Sequence, residues 1–187
     1  MMDTIGTAAG GRQMTLSTDG PDTSADQRIA GLERRVRELE DEREIHHVLI
    51  AYGFAVDSGD ASGTAALYTA DSRTVIDHST EIDGAAGMPE MVLGPQHQAI
   101  IPGAAHVMGP VSIAVEGDIA VAVGYATTFT RTDGAVGVWR QSVNRWRLTR
   151  QPDGWHISER ESRSLTDPTA GELLRQGLPT RSTERDR

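Results

Sequence analysis

The sequence predicts an α+β domain in which a curved, mainly antiparallel sheet wraps against its helices. Three observations carry this. Apolar residues up to Asp57 recur at helical spacing, whereas from Ala104 onward the period becomes strand-like in four successive runs. The runs are separated by Glu116-Gly117-Asp118, Thr132-Asp133-Gly134-Ala135 and Gln151-Pro152-Asp153-Gly154, each a hairpin signal with its own glycine. Helices followed by an antiparallel meander indicate a layered α+β architecture rather than alternating βαβ units.

The elements follow in order. Residues 1–27 are rich in Gly, Thr, Ser, Asp and Ala and lack periodicity, so they are expected to be a flexible extension. Ser24 or Asp26 is placed to cap a helix through Ile29, Leu32, Val36 and Leu39, a three-four-three spacing flanked by Glu and Arg. That seam fits either an oligomerisation helix or an amphipathic helix lying on its own domain. The helix is expected to continue, with a bend near Arg43, through the apolar run Ile45–Asp57, until Ser58-Gly59-Asp60 breaks it. A second helix is expected over Ser62–Tyr68, a strand over Thr74–Asp77 and a turn at Asp83-Gly84. A weaker third helix over Ala86–Ile101 is interrupted by Pro89, Gly94 and Pro95. The strand runs are Ala104–Val115, Ile119–Arg131, Val136–Thr149 and Gly154–Ser164. The domain proper is thus 28–165. Residues 166–187 form an arm or tail, with a short helix around Ala170–Gln176.

Composition removes several chemistries. The 187 residues suffice for one domain with a real core. There is no cysteine, which excludes disulfides, thiolate nucleophiles and Cys-ligated zinc. All 18 basic residues are arginine, so no Schiff base and no phosphate-loop lysine can form. The 27 acidic residues leave a net charge of -9, which argues against nucleic acid and anionic membranes as partners. No apolar stretch approaches the roughly 20 residues needed to span a bilayer. The N-terminus lacks an export signal, so a cytoplasmic protein is expected. His46 and His47 are adjacent and show no ligand spacing, and neither H-x-x-x-H, H-E-x-x-H nor a Gly-rich phosphate cradle occurs. No metal and no cofactor are expected.

The chemistry-bearing feature is the pair Asp57 and His106. An acid at the end of an apolar helix and an imidazole opening a strand could meet inside one cavity. There the carboxylate would fix the imidazole tautomer, stabilise its cation and make His106 a proton acceptor. A satisfied structural pair is the competing reading. Tyr52 lies five residues before Asp57, about 140° around the helix at ~100° per residue, so the two flank one cavity rather than stack. Strict alternation along the last strand places Arg160 on the face of His156 and Ser158, opposite Trp155 and Ile157. His78, His97 and Trp139 are further candidates for contact with a small-molecule substrate.

The stretch from about Glu38 to Arg163 resembles a SnoaL-like domain of the NTF2-like superfamily, the cone-shaped α+β barrel. Four features carry the resemblance: Tyr52-x4-Asp57-Ser-Gly-Asp60 on the first long helix, His106 at the first long strand, the meander, and Asp153-Gly154-Trp155 before the last strand. They are similar to the dehydratase-like branch, which includes scytalone dehydratase, the lindane dehydrochlorinase and the bile-acid 7α-dehydratase. The resemblance implies that His106 is the catalytic base and Asp57 the carboxylate that orients it. Tyr52 then stands where the bile-acid enzyme has tyrosine and the dehydrochlorinase lysine, and Arg160 at their last-strand arginine. Scytalone dehydratase's second histidine and its tyrosines have no assigned counterpart in this chain. The implied function is a cofactor-independent lyase. Isomerisation or cyclisation in the same cavity, or a non-catalytic binding or assembly module, remain alternatives. The open sheet face implies a homo-oligomer, dimer or trimer.

Overall fold

The computed structural model describes residues 23–178. The expectations for residues 1–22 and 179–187, and for the Ser24 side chain, lie outside that range. The chain divides into two compact units at Val36 and Arg37. The described part of the first is helical, and the second holds the sheet.

Helix α1 (Thr23–Ser58) is one continuous element of 36 residues. Residues 23–27, expected in the flexible extension, form its first turns, and Asp26 sits there with its charge favourable to the helix dipole. Within the domain, Ile45, Val48, Leu49, Tyr52 and Val56 form the buried face. They pack against Trp146, Leu148, Trp155 and Ile157 of the sheet, each aliphatic burial stabilising by about 1.5–3 kcal/mol. Asp41 and Glu44 tie the helix to the last hairpin: Glu44 accepts the Trp155 backbone N–H at 3.1 Å and Asp41 the indole N–H at 3.2 Å. Gly59, at φ 71°, ends the helix. Its N–H reaches the Val56 carbonyl and that of Asp60 reaches Ala55, the paired bonds of a Schellman stop. Asp60 then caps helix α2 (Ala61–Ala66) by accepting the Gly63 N–H at 2.8 Å.

Strand β1 (Tyr68–Ile76) begins where the second helix was expected to end, so Tyr68 is a strand residue. Strand β2 (Thr80–Asp83) was not foreseen. It is reached through Asp77 and His78, both in the left-handed region at φ 49° and 60°. The expected third helix is broken into α3 (Met88–Leu93) and α4 (Pro95–Gln98), because Gly94 is extended and Pro95 restarts the helix. Strands β3 (Ala105–Glu116), β4 (Ile119–Thr132), β5 (Ala135–Gln151) and β6 (Gly154–Ser164) match the four expected runs within two residues. Asp133 and Gly134, both at positive φ, join β4 to β5 as hairpin twist requires.

The sheet order is β2-β1-β6-β5-β4-β3, antiparallel except for the β1–β6 pair. It does not close on itself: β2 and β3 are its edges. Pro110 is tolerated in β3 because that strand is an edge and is bulged between Met108 and Val111. Helix α5 (Ala170–Gln176) covers the opposite sheet face, where Ala170 and Leu173 pack on Val123 and Val143. Among the described residues no helix is long and apolar enough to cross a membrane.

One irregularity positions the site. Arg147 pairs with Glu159 and Leu148 with Ile157, so Ser158 is an extra residue in β6. This bulge reverses the alternation beyond it. Arg160 therefore shares the buried face with Trp155 and Ile157, not the face of His156 and Ser158 that strict alternation gives.

Candidate active site

The Schellman stop leaves Asp57 in the last turn of α1, facing the start of edge strand β3. Close approach of the two elements depends on Gly53, where a Cβ would lie 2.6 Å from the His106 carbonyl oxygen. Asp57 Oδ1 accepts from His106 Nδ1 at 2.5 Å and Oδ2 from the His106 backbone N–H at 2.6 Å. The second bond satisfies an amide with no ladder partner on that side of an edge strand. The first puts the ring proton on Nδ1 and leaves Nε2 as the nitrogen with a free lone pair. Burial pushes the His106 pKa below its ordinary value. The Asp57 bond opposes this, and the positive charge of Arg160 and the neighbouring His97 reinforce it. Depression wins, so His106 is neutral and basic at neutral pH.

His97 of α4 forms one wall of the cavity. Its Nε2–H donates to the Val56 carbonyl at 2.7 Å, and its ring stacks on His106 with centroids 5.7 Å apart. Across the cavity, Arg160 is buried, and among the described residues its acceptors are all neutral. Its Nε and Nη2 donate to Asn144 Oδ1 at 3.1 Å each, and Nη1 donates to the Tyr52 hydroxyl. The guanidinium also lies over the Tyr52 ring, 4.4 Å from its centroid. Because arginine only donates, the Tyr52 oxygen is the acceptor and its own proton stays available. Tyr68 packs edge-on to Tyr52, and burial raises its pKa so that its hydroxyl remains neutral.

Four of these side chains share one cavity of about 360 Å³. His106, His97, Tyr52 and Arg160 line it together with Met91, Thr128, Trp139, Arg140 and Ser162. Asp57 stands behind His106 and is not part of the lining. Trp139 lines the cavity while remaining half exposed. His78 does not line it. Its left-handed backbone turns the ring toward Asp167 and Thr169, at 3.2 and 3.3 Å, beside a charged groove with Arg145, Arg147 and Glu159. The sequence reading also missed Asn144 and the ion pair between Arg140 and Asp77, at 2.5 and 3.0 Å. Arg140 and Asp77 both line the cavity, and the Arg140 bond lowers the Asp77 pKa. Among the described residues no three His, Asp or Glu side chains gather as metal ligands.

Residues 37–161 match the SnoaL-like domain family. The chain belongs to that family. All four of Tyr52, Asp57, His106 and Arg160 fall within the matched span of this SnoaL-like domain. Its fold recurs in an NTF2-like protein with a cystatin-like fold from Novosphingobium aromaticivorans. That protein is 35% identical, with a TM-score of 0.74 over 78% of this chain and 96% of the other. A candidate scytalone dehydratase from the same organism is 17% identical, with a TM-score of 0.60 over 68% of this chain and 85% of the other. A hexachlorocyclohexane dehydrochlorinase, LinA-type3 from Novosphingobium barchaimii, is 13% identical, with a TM-score of 0.61 over 70% of this chain and 90% of the other. At those identities the last two share the fold only. No curated protein sequence matches this SnoaL-like domain.

Proposed function

We propose that this SnoaL-like domain is a cofactor-independent lyase that eliminates water, or a similar group, from a small apolar oxygenated substrate of polyketide, steroid or terpenoid type. The observation that carries the reading is the held tautomer of His106: Asp57 occupies Nδ1 at 2.5 Å, and the residue lines a cavity shared with Tyr52 and Arg160. His106 Nε2 takes the proton from a carbon beside a carbonyl, and the C–H electron pair becomes the new carbon–carbon π bond. The bond to the β-oxygen breaks, and the departing oxygen leaves as water after receiving a proton from the Tyr52 hydroxyl or the imidazolium. Tyr52, where it supplies that proton, regains it from His106. The Arg160 fork holds the carbonyl oxygen as negative charge develops on it. The kinship of fold with dehydratase-like proteins supports this reading without naming a substrate.

Isomerisation or cyclisation begins with the same proton transfer and is the second reading. The test incubates the protein with a panel of β-hydroxy ketones and follows product mass. Loss of one water, abolished by His106→Ala in a folded protein, is the expected result. A mass-neutral product assigns an isomerase or cyclase. Absence of conversion across the panel, with ligand binding unchanged by His106→Ala, would overturn catalysis in favour of a binding module.

A further inference from the structure

We propose that α1 pairs with α1 of a second copy of this chain as a parallel, two-stranded coiled coil. Ile29, Leu32, Val36 and Leu39 are 53, 60, 51 and 65% exposed, although their spacing is that of a coiled-coil seam. All four are thus more than half exposed. A contiguous apolar row facing water marks an interaction surface.

Residue types on the seam select the occupant. Counting heptads with Ile29 at position a puts Val36 at the next a, and Leu32 and Leu39 at d. β-Branched residues at a with leucine at d favour two parallel strands. The flanking charges fix the direction. Position g holds Arg28 and Arg35, and position e holds Glu33 and Glu40, all exposed. In a parallel pair each g residue faces the following e residue across the seam. Arg28 then meets Glu33 of the partner subunit, Arg35 meets Glu40 of the partner subunit, and symmetry repeats both pairs. An antiparallel pair would set arginine against arginine and glutamate against glutamate. Arg43 and His46 interrupt the apolar row at the next a and d positions. Ile50 and Phe54, both exposed, then return to the same side, within an arc of about 80° at ~100° per residue. That side is opposite the buried face of Ile45, Leu49, Tyr52 and Val56, so the helix can carry a partner on one side and its own sheet on the other.

The test is sedimentation of the full chain at micromolar concentration. The expected mass is twice that of the chain, halved by Leu32→Glu with Leu39→Glu while the circular dichroism of the domain is kept. Direction is read separately with Leu39→Cys. The chain has no cysteine of its own, so oxidation can join only two copies of that position. In a parallel pair they share a layer and form a covalent dimer. In an antiparallel pair, position 39 faces position 29 across the seam, leaving the two cysteines about 15 Å apart at 1.5 Å per residue, beyond disulfide reach. Should the double glutamate variant misfold, Arg28→Glu with Arg35→Glu alters only exposed charges. That variant is expected to lose dimerisation and to regain it when mixed with chain carrying Glu33→Arg and Glu40→Arg. A monomeric wild type, a trimer, or a dimer that none of these changes weakens would overturn the seam as the interface. Failure of the disulfide would overturn the parallel direction.

Discussion

Asp57 grips His106 at two atoms, the ring Nδ1 at 2.5 Å and the backbone N–H at 2.6 Å. One carboxylate therefore fixes both the tautomer of the imidazole and the place of its strand. Asp57→Asn tests the two together. The backbone N–H can only donate, so it takes the amide oxygen, and the amide NH2 is left facing Nδ1. That reverses the tautomer and places a proton on Nε2, where the base needs its lone pair. The expected loss is about 10²–10⁴-fold in kcat/KM, with a melting curve close to that of the wild type. An Asp57→Asn variant retaining full activity would remove Asp57 from the mechanism.

The depressed His106 pKa sets a pH profile. A base with a lowered pKa stays unprotonated further into acid, so the acid limb of kcat/KM should fall below the ordinary histidine value of about 6.5. Burial is the largest cause, and the Asp57 bond works against it. Asp57→Asn should therefore lower the His106 titration further, read from its imidazole C–H resonance. Folding follows the same linkage. As pH falls below about 6.5 the unfolded chain takes up a proton that folded His106 refuses. Stability contributed by this residue then declines until the folded pKa is reached. An acid limb above that ordinary value would contradict the assignment of His106 as the base.

Much of this site was legible because its residues follow rules local to the chain. Asp57 and Tyr52 lie on a helix whose apolar spacing is plain, and His106 opens a strand bounded by clear turn signals. What stayed hidden depends on irregular backbone. No residue type announces the Ser158 bulge, yet it decides which face Arg160 takes. The left-handed turn at Asp77 and His78 is uncommon even for residue types that enter that region more readily than most, and it both creates β2 and turns His78 away from the cavity. Asn144 was invisible for another reason: only after the bulge is placed does its amide oxygen become the acceptor for a buried guanidinium. The opening of the sheet into two free edges was likewise not readable from the meander alone.

Among the described residues Arg160 is a buried cation without a carboxylate partner, an arrangement costly to folding and suited to an anion that develops during reaction. Arg160→Met keeps the length of the side chain and removes the charge. Activity should fall by about 10²–10³-fold. Asn144 Oδ1 loses both of its donors, which costs about 1–3 kcal/mol, partly offset by relief of the buried charge. Thermal unfolding alongside kinetics separates the two effects. A large stability loss with unchanged turnover would make Arg160 a structural residue only.

Gly53 carries the last prediction. It sits between Tyr52 and Phe54 on α1, where helix propensity alone would favour almost any other residue. The structure gives the reason for glycine: a Cβ at this position would lie 2.6 Å from the His106 carbonyl oxygen, a backbone atom that cannot swing aside. Gly53→Ala must therefore push α1 away from β3. The shift should cost about 1–3 kcal/mol of stability, as overpacking does, outweighing the gain in helix propensity. It should also lengthen the bonds from Asp57 to His106, so turnover falls more steeply than the melting temperature would suggest. The readout is kcat measured well below the melting transition, together with the His106 titration, which should move toward that of a histidine with a weakened carboxylate partner. A Gly53→Ala protein with greater stability and undiminished kcat would show that the close packing of helix on strand is not what holds the dyad together.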